Sequence, residues 1–211
     1  MSKSKNTKEK IILSALKLFN ANGIANVRLQ HIADEAFVSV GNLAYHYPNK
    51  EAIVHKIYDE MASKQKELMI EYRTVPLFEN IDRLIKATFF LQQEYLFFYL
   101  DTLEITRLYP EIGQKHQAHL QAQILQLQTI IHFNAARGAF VPETEPGIYA
   151  QLAIQLWTIL DLWVVQSTLR KQAIDKLESY QESVWAILKP FFTDMGKREF
   201  TQMRRMPYQF P

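Results

Sequence analysis

Cysteine is absent from the 211 residues, which excludes a disulfide framework, a thiol nucleophile and a zinc–thiolate site and fits a reducing cytoplasm. Glycine is scarce, at six residues, and no phosphate-cradling loop, nucleophile elbow or His-Glu zinc helix can be found among them. No catalytic residue, cofactor or metal is therefore expected. Strict apolar/polar alternation is missing, and so is any internal repeat. What remains is helical periodicity, so the expected fold class is all-α. Long hydrophobic runs are missing too. The longest, residues 148–165, is broken by Gln151, Gln155 and Asp161, and the amphipathic IILSALKLF near the N-terminus is interrupted by Lys17. Neither a membrane span nor a signal peptide is expected.

Composition is otherwise that of a globular chain, with 48% apolar and 22% charged residues. The formal charge of +2 hides an asymmetry. Residues 1–50 carry seven Lys or Arg against three acids, a balance of +4, whereas residues 51–211 carry 17 against 19, a balance of −2. A basic N-terminal segment on a mildly acidic body is the distribution expected when one end meets phosphate.

The most informative stretch is RLQHIADEAFVSVGNLAYHYPNKE, residues 28–51. Leu29, Ile32, Ala33 and Ala36 recur at three- and four-residue spacing and fall on one face of a short helix. Phe37-Val38 interrupts it. Ser39 suits an N-cap, and Val40–His46 forms a second short helix anchored by Val40, Leu43 and Tyr47. Pro48-Asn49 ends that helix, and Lys50-Glu51 opens a third. Two short helices across a tight turn make a helix-turn-helix, whose second helix has the width of a DNA major groove. With Ser39 as cap, Val40, Asn42, Tyr45 and His46 are expected to project toward base edges. Asn can pair bidentately with adenine, and Val can touch a thymine methyl. Gly41 leaves room for close backbone approach, and Arg28 and Gln30 can reach the opposite groove wall. For Tyr45 and Tyr47 the alternative is plain core packing.

Ile32-Ala33, Ala36, Val38-Ser39, Gly41, Leu43, Tyr45, Tyr47 and Asn49-Lys50-Glu51 resemble the DNA-binding segment of TetR-type (TetR/AcrR) transcriptional repressors, over about residues 7–58. The resemblance implies phosphate contacts from Tyr47 and Lys50 and an inducer pocket in the second half of the chain. Three positions depart from the pattern: Arg28 at the usual Thr/Ser cap, Phe37 at the usual turn Gly, and Ala44 at a common aromatic. If the turn stays left-handed, Phe37 bears roughly 1 kcal/mol or more of strain. Its ring is then expected to recover something by packing over Ile24 or the first helix. A rebuilt turn with ordinary φ is the alternative.

Residues 1–6 read as disordered, and Asn6 or Thr7 as the cap of a first helix with Ile12, Ala15, Leu16 and Phe19 inside. Beyond residue 50 the periodicity predicts helices over 50–72, 77–100, 101–108, 111–137, 149–169 and 175–192. A basic, aromatic tail without clear period covers about 197–211. The expected organisation is a DNA-binding domain over 1–50 and a helical regulatory and dimerisation domain over 51–211. Aromatics at helical spacing are more often core than pocket, but Phe89, Phe90, Phe98, Trp157 and Trp163 are the candidates for a ligand cavity. Asp161, set among apolar neighbours, is either paired, at a rim, in a dimer contact or a pocket anion. The last two helices are apolar on more than one side, and Val184, Leu188 and Phe191 are the candidates for a homodimer interface. His116 and His119, three apart, lack further ligands and read as ordinary surface residues.

The reading is a homodimeric, cytoplasmic regulator, a repressor that leaves a palindromic double-stranded DNA operator when a small apolar or aromatic effector binds. Its rivals are a ligand-free architectural DNA-binding protein and an α-helical enzyme or lipid carrier using the aromatic cavity.

Overall fold

Ten α-helices and one 3-10 turn account for nearly all of residues 2–73 and 75–205, the part the computed structural model describes, with side chains described from Asn6 to Ile70 and from Val75 to Arg205. The helices are α1 (Ser2–Asn22), α2 (Leu29–Glu35), α3 (Val40–His46), α4 (Lys50–Arg73), α5 (Phe78–Glu94), α6 (Leu96–Leu108), α7 (Pro110–Ala136), α8 (Ile148–Leu169), α9 (Leu177–Leu188) and α10 (Asp194–Arg205). The all-α expectation holds. Helix α1 starts at Ser2, so residues 2–6 are helical rather than disordered, and Thr7 lies inside the helix instead of capping it. The basic tail is helical through Arg205, and its last six residues lie outside the described part.

The described residues form two compact units. One holds those up to Lys64 together with Gln92–Gln117, and the other holds Gln65–Leu91 with those from Ala118 onward. The N-terminal unit is thus larger than the first fifty residues. Its core is built on Ile11, Ala15, Phe19, Ile24, Ile32, Ala33, Leu43, Ile53 and Val54, each almost wholly buried.

Three of the helices end in the same closure. After α2, Val38 N–H donates to Ala33 C=O and Phe37 N–H to Asp34 C=O; after α7 and α8 the equivalent bonds end on Asn134 and Ala135, and on Ser167 and Thr168. This double bond requires a left-handed residue at its corner, usually glycine. Gly138 meets the requirement at φ +80°, but Phe37 and Lys171 adopt φ +56° and +54° with side chains attached. Phe37 therefore carries backbone strain of about 1–2 kcal/mol.

Residues 77–100 do not form one helix. The chain breaks at Tyr95 (φ −112°, ψ 36°) and kinks again at Asp101 (φ −111°, ψ 17°). Both points are tied to the N-terminal helix and its turn. Asn20 donates its amide to Glu94 C=O at 2.8 Å and accepts Phe97 N–H at 3.0 Å, and Asp101 accepts Ile24 N–H at 3.4 Å. Phe19 packs against Phe97 in a tilted pair with ring centres 5.2 Å apart. At the Tyr95 break the freed Glu94 C=O and Phe97 N–H thus both find their partner in the Asn20 side chain.

In the second unit, Phe78, Phe140, Trp185, Phe192 and Phe200 make a continuous aromatic cluster; Phe78 and Phe192 are 4.8 Å apart by ring centres, Trp185 and Phe200 5.1 Å. A single antiparallel bridge, Phe140 to Phe192, holds the α7–α8 loop to the turn before α10. Gly196 brings α10 against this bridge: a Cβ there would sit 2.2 Å from the Ala139 carbonyl oxygen. Glu199 of α10 caps α5 by accepting Phe78 N–H at 2.9 Å, and it is held in turn by Arg137 at 2.6 Å. Asp82 joins α5 to α9. It pairs with Lys86 at 3.0 Å and accepts from Gln181 at 2.8 Å and Trp185 at 2.9 Å.

Candidate nucleic-acid interface

Helix α3 is short, and its exposed position rests on what fastens its ends. Ser39 Oγ accepts the Asn42 N–H at 3.1 Å and supplies the N-cap. Tyr47 terminates it with an extended backbone, and Asn49 Oδ1 then accepts Ala52 N–H at 2.9 Å to start α4. Only Leu43 of the helix proper is fully buried. Helix α2 lies behind it with Ile32 and Ala33 in the core. The Thr/Ser cap replaced by Arg28 is compensated from a different side: His31 Nδ1 accepts Arg28 N–H at 3.3 Å, as the acid of a capping box would. Lys17 on α1 pairs with Glu35 at 2.6 Å across the pair of helices.

On the outer side, Ser39, Gly41, Asn42 and Tyr45 are exposed, Val40 stands at the margin of exposure, and His46 is half-buried against the Tyr45 ring at 5.1 Å. A Cβ at Gly41 would meet nothing within 4 Å, so the chain itself has no need of a glycine there, and the bare backbone faces outward. Arg28 and Gln30 are exposed, with Gln30 Nε2 bonded to Asp34 at 2.7 Å.

Two of the expected contacts face elsewhere. Tyr47 is buried, at 9% exposure, with its hydroxyl pKa raised by that burial. Lys50 turns inward, its ammonium donating to Ile24 C=O at 2.6 Å and Val27 C=O at 3.0 Å, and burial lowers its pKa. A lysine committed to two carbonyls that close the α1–α2 loop is a strut of the head, and a phosphate would have to break those bonds to recruit it. Phe37 also departs from expectation. Its φ is left-handed, but its ring packs on neither Ile24 nor α1; it is 94% exposed.

In the second unit three of the expected pocket residues, Phe89, Phe90 and Trp163, meet as packed rings, and none of the expected residues lines the cavity found there. Phe89 is buried in a ring cluster with Trp163 (6.0 Å) and Tyr180 (5.4 Å), while Phe90 beside it is half exposed. Trp157 donates its indole N–H to Gln123 at 3.2 Å. Phe98 belongs to the first unit, packed between Tyr58 (5.4 Å, tilted) and the edge-on ring of His116 (5.1 Å). Instead, a cavity of about 30 Å³ lies among α5, α7, α8 and α9, lined by Ile81, Leu84, Ile85, Leu127, Ile130, Ile131, Phe140, Leu156, Leu160, Val184 and Leu188. That is well short of the roughly 300–1,000 Å³ typical of small-molecule sites. Val184 and Leu188 thus face the chain's own core, where they are 2% and 3% exposed, and they cannot form a subunit surface. Phe191 is half-buried, 6.1 Å from the Tyr149 ring, at the edge of an open groove formed with Pro146–Ile148 and Gln151.

An exposed apolar stripe lies on α8. Ile154 (41% exposed), Leu162 (38%) and Leu169 (72%) make an outward stripe with half-buried Thr158 and Val165. The spacing 154, 158, 162, 165, 169 keeps these residues on one face of the helix. Its inward stripe runs through Tyr149, Leu152, Leu156, Trp163, Val164 and Ser167. Among the described residues α8 is the one helix long and apolar enough to cross a membrane by length and composition. Two apolar stripes on one helix have the same composition.

Asp161 is half-buried on α8, and burial pushes its carboxyl pKa up to about 6. The folded chain holds this proton more tightly than the unfolded chain, whose carboxyl titrates near 3.8. Stability therefore falls as pH rises through about 4 to 6. Asp161→Asn is expected to melt at a higher temperature than the parent at pH 7.5, with the gap closing by pH 4. An equal gap at both pH values would mean that the carboxylate is not desolvated. Among the described residues no group of three or more His, Asp or Glu is placed to hold a metal ion.

Comparison with known proteins places this geometry among relatives. Residues 11–57 match the family model described as "Bacterial regulatory proteins, tetR family", and residues 58–200 match TetR, a "Bacterial transcriptional repressor". A probable HTH-type transcriptional regulator of Bacillus subtilis (strain 168), YttP, is 24% identical over 72% of this chain and 91% of its own. The crystal structure of a TetR-family transcriptional regulator from Marinobacter aquaeolei VT8 superposes with a TM-score of 0.82 at 23% identity, covering 94% of this chain and 97% of the other. A gamma-butyrolactone receptor described as ArpA-like superposes at 0.71 with 16% identity, covering 96% of both chains.

Proposed function

Because the chain belongs to the TetR family of bacterial regulatory proteins, we propose that this DNA-binding transcriptional regulator is a homodimeric repressor that reads a two-fold symmetric operator through α3. The observation that carries the reading is the outer face of α3. Ser39, Val40, Gly41, Asn42 and Tyr45 are turned away from a core that needs only Leu43 and Tyr47. Arg28 and Gln30 flank that face, and residues 1–50, with their net charge of +4, form the reading domain. Asn42, whose side-chain amide has no partner among the described residues, is the base reader, suited to an adenine edge. Tyr45 and His46 extend the same surface.

The outward stripe of α8 is the dimer seam in this reading, joining two copies so that their α3 helices lie about one DNA turn apart. The regulatory ligand is a small apolar molecule. The cavity of the second unit is lined by hydrocarbon side chains alone, and a related fold is named as a receptor for gamma-butyrolactones. At its present size the cavity must expand to admit such a molecule. A ligand that binds the expanded state better shifts the population toward it, and it lowers operator affinity by the same differential affinity. The cytoplasm, where the operator is, is its compartment, and no catalytic step is part of this role.

Asn42→Ala tests the reading face. It is expected to lose about 1–3 kcal/mol on the preferred operator and to relax preference at one base position in each half-site. A loss spread evenly over unrelated sequences would show that the base-reading surface lies elsewhere.

A further inference from the structure

Phe37 combines two unfavourable features that nothing within the chain offsets. It is held at φ +56° at the corner of the α2 closure, a conformation L side chains rarely adopt, and its ring is 94% exposed. Glycine or asparagine would close α2 with less strain. Lys171, at the equivalent corner after α8, is a charged side chain at home in water; a phenyl ring is not. The ring's compensation must therefore come from outside the chain.

Its position says what that partner is. Phe37 lies two residues before Ser39, the cap of α3, and borders the exposed face of Ser39, Gly41, Asn42 and Tyr45. A phenyl ring bonds no phosphate oxygen, and the one base-edge group it can cover is a thymine methyl on the groove floor. At the margin of a helix lodged in the major groove, the surface it can cover is the C–H face of deoxyribose between successive phosphates. Resting on the reading of α3 as the DNA-contacting helix, we propose that Phe37 is a DNA-docking residue that packs on deoxyribose at the rim of the groove α3 enters. It adds affinity without sequence preference and sets how deeply α3 seats. Because the contact is apolar and releases no counterion, it strengthens binding without steepening its salt dependence.

The test compares Phe37→Asn and Phe37→Leu with the parent, on an operator selected by the parent from a random pool. Asn tolerates the left-handed corner and removes the ring; Leu keeps an apolar cover with the strain. Phe37→Asn is expected to melt at the same temperature as the parent or higher, and to bind the operator about ten- to a hundredfold more weakly, the range for uncovering a buried phenyl group. The slope of log K against log salt should be unchanged, and Phe37→Leu should recover most of the affinity. Hydroxyl-radical cleavage, which attacks deoxyribose, should show one or two sugars per half-site protected by the parent and exposed with Phe37→Asn. Affinity within twofold of the parent, or an unaltered sugar footprint, overturns the proposal while leaving the reading of α3 in place. Loss of a second, cooperatively bound dimer in place of sugar protection also overturns it, since the ring would then seat on another copy of the chain. A parent protein that selects no sequence overturns both.

Discussion

Asp82→Ala is expected to destabilise the chain by about 3–5 kcal/mol, the range for removing one member of a buried charged pair. Asp82 is 2% exposed and Lys86 8%. One carboxylate oxygen lies 3.0 Å from the Lys86 ammonium, and the other accepts both the Gln181 amide and the Trp185 indole N–H. Truncation leaves an ammonium, already lowered in pKa by burial, without its counter-charge. Two neutral donors inside the protein lose their acceptor as well, and each such loss adds about 1–3 kcal/mol of desolvation when no water replaces it. Charge alone can be separated from shape. Lys86→Leu in the Asp82→Ala background removes the stranded cation and is expected to recover a substantial part of the loss. Urea unfolding of the single and double variants measures both terms. A single variant within about 1 kcal/mol of the parent would mean that the carboxylate contributes little to joining α5 and α9.

The second large effect concerns assembly. Leu162→Arg, at the centre of the outward stripe of α8, is expected to yield a folded monomer that binds the operator at least a hundredfold more weakly. The side chain is 38% exposed in the single chain, so arginine there leaves the inward packing of Trp163 and Val164 untouched. Across a two-fold seam, however, two guanidinium groups would face each other. The affinity loss follows from linkage: two half-sites read by one dimer gain about 10²–10⁴ over one head, and a monomer forfeits that factor. Sedimentation gives the oligomeric state and a filter-binding titration the affinity. A variant that stays dimeric with full affinity would remove α8 from the seam.

Leu188→Glu would not make this distinction, and the reason shows where sequence periodicity stops being informative. Val184 and Leu188 satisfy the pattern of an amphipathic helix, but α9 has one apolar face and spends it on its own core. Helix α8 carries two stripes. Its second one is legible as the spacing 154, 158, 162, 165, 169 once its first is assigned to the interior, an assignment that needs neighbours the sequence does not order.

The helix-turn-helix was legible because its determinants are local: a serine cap at 39, a stop at Pro48-Asn49, and apolar anchors one turn apart. The break at Tyr95 was not. The groups that stabilise it belong to Asn20, more than seventy residues away in the chain. Helix α10 escaped for another reason: it docks through a glycine against a carbonyl, a capping glutamate and a single phenyl ring, Gly196, Glu199 and Phe200, which together make no apolar period. At Phe37 the left-handed corner could be anticipated from the residue usually found there, whereas the direction of the ring could not. Lys50 is the converse case, a cation in the expected place whose ammonium turns to two carbonyls of its own head.

The claim on which the rest depends, sequence-selective reading by paired α3 helices, is tested most directly by selecting bound duplexes from a random DNA pool with the unmodified protein. The account predicts an enriched motif with two-fold symmetry, its half-sites centred about one helical turn apart, and the loss of one base preference per half-site when the selection is repeated with Asn42→Ala. No enrichment, or an enriched site without symmetry that Asn42→Ala leaves unchanged, would contradict it.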